Sequence, residues 1–269
     1  MIELKSVSGI FGEGAVKDVS FRLPNGKTYG VFSSRYADAV CLLSLMSGAR
    51  TPSDGSVLVG GFDLHREAKK VRRGIGYLPP DLLPDESLTP IEYLMTVADV
   101  LELPYDKTVR RAHELLELAD LIGKKERLIA NLSHGEGRIL CLLQLLLGNP
   151  EFLILTSPLS GILPKDAQKM RELIAYLGDT YTIFVCTPAP NDLTEMCDEI
   201  IVLQNGTLKT TSSANDAALA TEFSIPPEEV VSETKNVAKP EREKALWKLL
   251  MQKSDDYEVL NSEDKEDEN

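Results

Sequence analysis

A strand–helix–strand succession in the second half of the chain constrains the fold more than any other feature. Residues 152–155 and 182–186 are short apolar runs typical of buried strands, and residues 165–177 between them carry apolar positions at helical spacing. Two neighbouring strands joined by a helix of this length run parallel, since the crossover returns the chain to the same edge of the sheet. The sequence therefore predicts an α/β fold around a mostly parallel central sheet.

The first part of the chain predicts an additional antiparallel β layer. Residues 2–7 and 15–23 have strand composition, and a glycine-rich turn separates them. The turn at residues 24–26, Pro-Asn-Gly, is of the kind that joins the two strands of a hairpin. A short buried strand at 28–32 and an apolar helix at 39–47 are expected to follow.

The middle of the chain predicts helices. Thr89 and Pro90 form a helix start, with threonine as N-cap and proline in the first helical position. Two amphipathic helices are expected at about 90–102 and 106–119. Residues 200–203 and 208–211 then predict a hairpin around an Asn-Gly turn.

Charge is distributed unevenly along the chain. The net charge is −13, and residues 255–269 hold eight acidic side chains against Lys265 alone. The remainder is only mildly acidic, which argues against a nucleic-acid-binding surface. We interpret residues 255–269 as an acidic disordered tail because they contain few apolar residues. Residues 213–254 are interpreted as a C-terminal extension with one short amphipathic helix.

The cysteines and the apolar segments indicate the compartment. None of the four cysteines belongs to a Cys-x-x-Cys pair, so we expect buried free thiols and neither disulfides nor metal ligands. The chain start lacks the pattern of a signal peptide, and the apolar stretch 139–147 is too short to cross a bilayer. These features predict a cytoplasmic protein that meets the membrane only through a partner.

Five segments, in order, resemble ABC-type ATPases. They read MIELKSVSGIFGEGAVKDVSF, TPSDGSVLVGGFDL, GIGYLPP, LSHGE and IIVLQNGTLK. The resemblance covers residues 1–212 and implies a P-loop NTPase-like ABC ATPase fold. Such a fold has an antiparallel β subdomain, a central mostly parallel sheet and a helical subdomain, here at about residues 81–135.

The phosphate loop of that family is replaced in this chain. In register with Gly-x-x-x-x-Gly-Lys-Ser/Thr stand Ser33, Ser34, Arg35, Tyr36, Ala37, Asp38, Ala39 and Val40. Asp38 takes a glycine position of this pattern, and Tyr36 takes a further position where the family keeps glycine. Ala39 takes the place of the lysine, and Val40 that of the Mg²⁺-binding hydroxyl. A plain strand–turn–helix connection is the alternative interpretation of this segment.

The other catalytic positions implied by the resemblance are also replaced. Pro80 stands for the Q-loop glutamine, Thr156 and Ser157 for the Walker B aspartate and catalytic glutamate, Leu163 for the D-loop aspartate, and Pro188 for the switch histidine. These replacements leave no candidate general base and no metal ligand. We therefore expect no catalytic residue, no metal site and no cofactor, with ATP and Mg²⁺ bound only if an atypical site still works.

Two features of the family are partly retained. Phe11 stands where the family has an aromatic that stacks on adenine, although a half-buried turn phenylalanine would look the same. Ser133 and Gly135 survive in the signature segment, residues 132–136. In the family these residues face the ATP of the opposite subunit; alternatively Ser133 and Glu136 form a capping box for the next helix.

Three functions follow from this pattern. The main hypothesis is a pseudo-ATPase subunit that serves an integral-membrane permease, or an intact ABC ATPase as heterodimer partner, without hydrolysing ATP. The second is a working ATP-binding and ATP-hydrolysing subunit of a transporter with an atypical site. The third is a soluble scaffold that is no longer tied to transport. No nucleic-acid partner is expected.

Overall fold

The computed structural model describes residues 1–214 of the chain. The acidic tail and all but the first two residues of the predicted C-terminal extension lie outside the described residues. The predicted bounds of the domain, the helical subdomain and the extension remain predictions.

The strands of the described residues follow the predicted order. They are β1 (Ile2–Phe11), β2 (Gly14–Leu23), β3 (Thr28–Ser33), β4 (Asp54–Val59), β5 (Phe62–Asp63), β6 (Ile75–Leu78), β7 (Phe152–Thr156), β8 (Thr182–Cys186), β9 (Glu199–Gln204) and β10 (Thr207–Ser213).

Helices lie between several of these strands, three of them in succession between β6 and β7. They are α1 (Tyr36–Met46), α2 (Ala68–Arg72), α3 (Pro90–Val100), α4 (Tyr105–Leu118), α5 (His134–Leu145), α6 (Pro164–Leu177) and α7 (Pro190–Met196), with 3₁₀ turns at Ile122–Lys124 and Ile129–Asn131. The short elements β5, α2 and α7 were not expected from the sequence.

The strands form two sheets. One is antiparallel and has the order β2-β1-β4-β5; the other has the order β10-β9-β3-β8-β7-β6. In the larger sheet β9, β3, β8, β7 and β6 run parallel, and only β10 pairs antiparallel. The predicted α/β class, with an antiparallel β layer and a mostly parallel central sheet, is confirmed.

The turn at Pro24-Asn25-Gly26 corrects one prediction. It does not close a hairpin, because β2 belongs to the antiparallel sheet and β3 to the parallel one. Gly26 has φ +84°, so the chain reverses here as the turn chemistry predicts. Turn residues specify the local bend but not which sheet receives the next strand.

Two apolar cores lie on opposite faces of the parallel sheet. One packs α1 between the two sheets and includes Leu42, Phe152 and Phe184. The other joins the sheet to α3, α4, α5 and α6. The four cysteines, all within residues 1–214, form no disulfide and are buried in these cores, as predicted. The Thr89–Glu92 capping box at the start of α3 is also present.

Among residues 1–214, the largest fully buried side chain is a charged one, Arg138 of α5. Its guanidinium donates to the carbonyl oxygens of Leu82 at 2.8 Å and Ser157 at 3.1 Å, and to that of Pro79 at 3.4 Å. Burial lowers the pKa of Arg138 because desolvation disfavours the charged form. The carbonyl bonds compensate for this and fix α5 against the segment after β6 and the end of β7.

The β1–β2 turn packs directly on the first turn of α1. A methyl group at Gly14 would lie 1.9 Å from the carbonyl oxygen of Ala37. The antiparallel layer can approach the helix this closely only because position 14 has no side chain.

This contact predicts a large effect for a small substitution. Gly14→Ala should lower the free energy of unfolding by about 1–3 kcal/mol, the usual cost of overpacking, in urea denaturation. Gly123→Ala is the control, since its methyl group would meet no atom within 4 Å. The control should stay within about 0.5 kcal/mol of wild type. Equal urea midpoints for Gly14→Ala and Gly123→Ala would contradict the close approach of the β1–β2 turn to α1.

Candidate functional site

The candidate site lies where three neighbouring parallel strands end. The strands β3, β8 and β7 are adjacent in the sheet, and their last residues are Ser33, Cys186 and Thr156. Thr156 and Cys186 are direct partners in the β7–β8 pairing. Ligands of open α/β sheets bind outside this carboxyl edge, so the fold gathers the predicted phosphate-loop and Walker B positions at the expected place.

The segment from Ser33 to Tyr36 is a short connection between β3 and α1. Arg35 precedes the helix with an extended backbone and makes no side-chain cap. Its guanidinium instead donates to the carbonyl oxygen of Glu13 in the β1–β2 turn. The Arg35 side chain is therefore engaged with the backbone, and Ser34 is exposed beside it.

Tyr36 connects this segment to the end of β7. Its hydroxyl is hydrogen-bonded to the Ser157 hydroxyl, and the thiol of Cys186 donates to the same Tyr36 oxygen at 3.6 Å. Burial raises the pKa of Tyr36 well above its ordinary value, and raises that of the Cys186 thiol to about 12. The three groups are thus neutral at physiological pH and bonded to one another.

Asp38 lies in the first turn of α1 with only 1% of its surface exposed. One carboxylate oxygen accepts from the backbone N–H of Ala15 at 2.9 Å. The second, Oδ2, is buried without a hydrogen-bond partner among the described residues. The carboxylate therefore joins the β1–β2 turn to the helix N-terminus, where its negative charge is favourable.

The end of β7 carries two hydroxyl side chains at the predicted Walker B positions. Thr156 and Ser157 are buried, and Ser157 has φ +50°. The backbone N–H of Ser157 donates to the carbonyl of Cys186 at 2.9 Å, and its own carbonyl accepts from Arg138. These bonds hold the backbone at the end of β7, while the Ser157 side chain bonds Tyr36.

The other predicted positions lie around this edge without forming a polar cluster. Ala39 is fully buried in the core, and Val40 is half-buried against it. Pro80 is half-buried, Pro188 is exposed, and Leu163 is 69% exposed. Within residues 1–214, no group of three or more His, Cys, Asp or Glu side chains could hold a metal ion.

Phe11 lies at the end of β1 with one ring face covered. The guanidinium carbon of Arg50 is 4.5 Å from the ring centroid, a cation–π contact. An adenine ring stacking on Phe11 would have to use the opposite face.

Residues of the same chain form hydrogen bonds with the signature segment. Ser133 caps α5 by accepting from the N–H of Glu136 at 3.1 Å, and Glu136 bonds back to the Ser133 N–H, so the predicted capping box is present. The Ser133 hydroxyl also donates to a carboxylate oxygen of Asp166 at 2.9 Å. A methyl group at Gly135 would lie 2.3 Å from that carboxylate.

Three residues that matter at this edge were missed by the sequence analysis: Arg138, Cys186 and Asp166. Arg138 is the one with a local signal, since it is a lone charge at the start of the apolar stretch 139–147, and such a charge needs buried acceptors. The contacts of Cys186 and Asp166 depend on how the strands and helices assemble.

A family comparison agrees with the predicted resemblance. The model of the ABC transporter family matches residues 16–160, more than half of the 269 residues.

Two curated proteins illustrate the relatives. The chain is 26% identical over 208 residues to the linearmycin resistance ATP-binding protein LnrL of Bacillus subtilis (strain 168), covering 77% of this chain and 67% of that protein. It is 28% identical over 219 residues to the methionine import ATP-binding protein MetN of Escherichia coli (strain K12), covering 77% and 64%. The chain thus spans about two thirds of the length of these relatives.

Solved structures share the fold. A nucleotide-free ATP-binding cassette from an ABC transporter superposes with a TM-score of 0.72 at 18% identity, covering 86% of this chain and 98% of that one. An ATP-binding subunit of an ABC transporter gives 0.69 at 22% identity, covering 86% and 97%. At these identities the likeness shows the fold alone, and it confirms the predicted ABC ATPase fold class.

The buried Tyr36 phenol predicts a pH dependence of stability. Its folded-state pKa is raised above the ordinary 10.0. The contribution of the neutral phenol to the free energy of unfolding is therefore complete below pH 10 and is lost as pH rises through the folded-state pKa. In urea denaturation from about pH 8 to about pH 11, wild type should lose stability more steeply than Tyr36→Phe. At neutral pH the Tyr36→Phe substitution should lower the free energy of unfolding by about 0.5–1.5 kcal/mol.

Tyr105→Phe is the matched control for this measurement, since Tyr105 is 68% exposed. The free energy of unfolding of Tyr105→Phe should fall with rising pH as steeply as that of wild type. Parallel curves for wild type and Tyr36→Phe would contradict the buried hydrogen-bonded phenol.

Proposed function

Since the chain belongs to the ABC transporter family, we propose that it serves a transporter as an ATP-binding-type subunit that does not itself hydrolyse ATP. The family supplies the fold and the transporter context. The loss of hydrolysis is proposed from the side chains at the carboxyl edge of the parallel sheet.

One observation carries the proposal: the Tyr36 hydroxyl is bonded to Ser157. Tyr36 stands at a glycine position of the phosphate loop, and Ser157 stands at the position of the catalytic glutamate. Their contact joins the two segments between which the family holds phosphate and metal. On this proposal a nucleotide would have to break this contact and displace the half-buried ring of Tyr36.

The donor set at this edge does not fit Mg²⁺ with ATP. Mg²⁺ prefers carboxylate oxygens together with phosphate oxygens, whereas Thr156 and Ser157 offer neutral hydroxyls. The one carboxylate at the start of α1, Asp38, already bonds Ala15 and would repel a phosphate at that helix end. Ala39 supplies no positive charge in return.

Hydrolysis also requires a group that activates water. The predicted positions for it carry Ser157 and Pro188, and neither side chain is a base at neutral pH. The Tyr36 phenol and the Cys186 thiol are kept protonated by their raised pKa values. The edge therefore lacks both a metal ligand set and a general base among the residues aligned with the family motifs.

The partners are proposed from the same family membership. We propose that the chain associates with an integral-membrane permease and is peripheral to the cytoplasmic face of the membrane through it. An intact ABC ATPase is proposed as a heterodimer partner that supplies the hydrolysis. Within residues 1–214 no helix is long and apolar enough to cross a membrane.

A second candidate is a working ATP-binding subunit with an atypical site. The observation that favours it is that both curated relatives described above are ATP-binding proteins by name. In that case Tyr36 would swing away from Ser157 when Mg-ATP binds, and backbone N–H groups would replace the missing lysine. The two candidates differ in one measurable property, the turnover of ATP by the isolated chain.

Phosphate release from Mg-ATP by the purified full chain tests the proposal. We expect no release above the rate of a protein-free sample, because the residues that would hold metal and activate water are absent from the motif positions. Ser157→Ala is prepared in parallel to identify a contaminating ATPase, which would give the same rate in both samples. Turnover by wild type that disappears in Ser157→Ala would overturn the proposal and favour the second candidate.

A further inference from the structure

The N-terminus of α5 is covered by a carboxylate from the next helix. Asp166 lies in the first turn of α6 and accepts from the Ser133 hydroxyl at 2.9 Å. Its carboxylate also lies against Gly135, whose backbone could not carry even a methyl group without meeting it at 2.3 Å. Gly135 is buried in consequence, although the flanking Ser133 and His134 are exposed.

The position of this carboxylate is favourable for two helices at once. The N–H groups of His134 and Gly135 lie in the first turn of α5 and have no acceptor within the helix. The helix α6 begins after Leu163, which supplies no side-chain cap. Asp166 therefore places one negative charge where the positive ends of α5 and α6 meet.

Two lysines of this region are bonded to other carboxylates. Lys169, on the same helix, bonds Asp120 at 3.0 Å, and Lys124 bonds Glu136. The carboxylate of Asp166 is thus directed to the helix ends and the Ser133 hydroxyl. This arrangement gives the α5 N-terminus the partner that a phosphate oxygen would otherwise provide.

We propose that Asp166 is a built-in anion that occupies the N-terminus of α5 and excludes phosphate groups from the signature segment. It acts in two ways: the carboxylate takes the space above Gly135 and bonds Ser133, and its charge repels an incoming phosphate. The signature segment of this chain is then closed to the nucleotide of a partner subunit. The inference concerns this surface alone and does not depend on whether the phosphate-loop positions bind nucleotide.

Site-resolved phosphate titration tests the inference. The full chain, labelled with ¹⁵N, is titrated with inorganic phosphate against sodium chloride of equal ionic strength, and the amide signals of His134 and Gly135 are followed. Wild type should show no saturable shift. Asp166→Ala should show a saturable shift, with an affinity at least about tenfold above the weakest that the titration can detect, because the helix end gains an open anion position.

Three further variants keep the test decisive. Asp166→Asn preserves size and removes charge, so it should shift in the same direction as Asp166→Ala and replaces it if the alanine variant does not fold. Ser133→Ala should stay unresponsive, since Asp166 still covers Gly135. Asp106→Ala, which removes an exposed first-turn acid from α4, should behave as wild type.

The same titration can overturn the inference. Equal responses of the two amide signals in wild type and both Asp166 variants, including no response in any of them, would mean that Asp166 does not control phosphate access. Binding of phosphate at the phosphate-loop positions would instead shift amides of residues 34–38. That outcome would count against the proposed closure of the phosphate-loop positions to nucleotide. The role of Asp166 would still be decided by the amide signals of His134 and Gly135.

Discussion

A positive charge buried between helix and sheet must be surrounded by oxygen acceptors, and much of this structure is arranged around that requirement. Arg138 meets most of this requirement with backbone carbonyls from the segment after β6 and from Ser157, although its Nε is buried without a hydrogen-bond partner among the described residues. Because backbone groups are the acceptors, the charge fixes the course of the chain and does not merely pair with another side chain. The end of β7 is thereby held in a defined position, and the candidate site is built on that end.

The fixed edge is occupied by side chains of the chain itself. Tyr36 bonds Ser157 across the sheet edge, and Asp38 and Asp166 each lie at a helix N-terminus. The resemblance implies that these helix ends face phosphate in the family, and we propose that the two aspartates provide the negative charge internally in this chain. This physical basis is common to the proposed subunit without ATP hydrolysis and to the inferred exclusion of phosphate from the signature segment. Each of the two is tested by its own measurement.

Much of the fold could be predicted because its signals are local. The apolar runs of β7 and β8, the helix between them and the capping boxes at Thr89 and Ser133 all depend on neighbouring residues. The hairpin expected at residues 24–26 was wrong, since the sheet that receives β3 is decided by packing far along the chain. The contact between Tyr36 and Ser157 joins residues 121 positions apart. The resemblance led to the hypothesis that both positions depart from the family motif, but it could not indicate that Tyr36 and Ser157 bond each other.

Calorimetric titration of Mg-ATP into the full chain tests most directly whether the edge is closed to nucleotide. We expect no saturable heat at millimolar nucleotide, because binding would have to break the Tyr36–Ser157 contact and bring phosphate towards Asp38 without a lysine to offset the charge. Ala39→Lys alone should not restore binding, since Tyr36 and Asp38 remain. A saturable isotherm with micromolar affinity for wild type would contradict the proposed closure of the site.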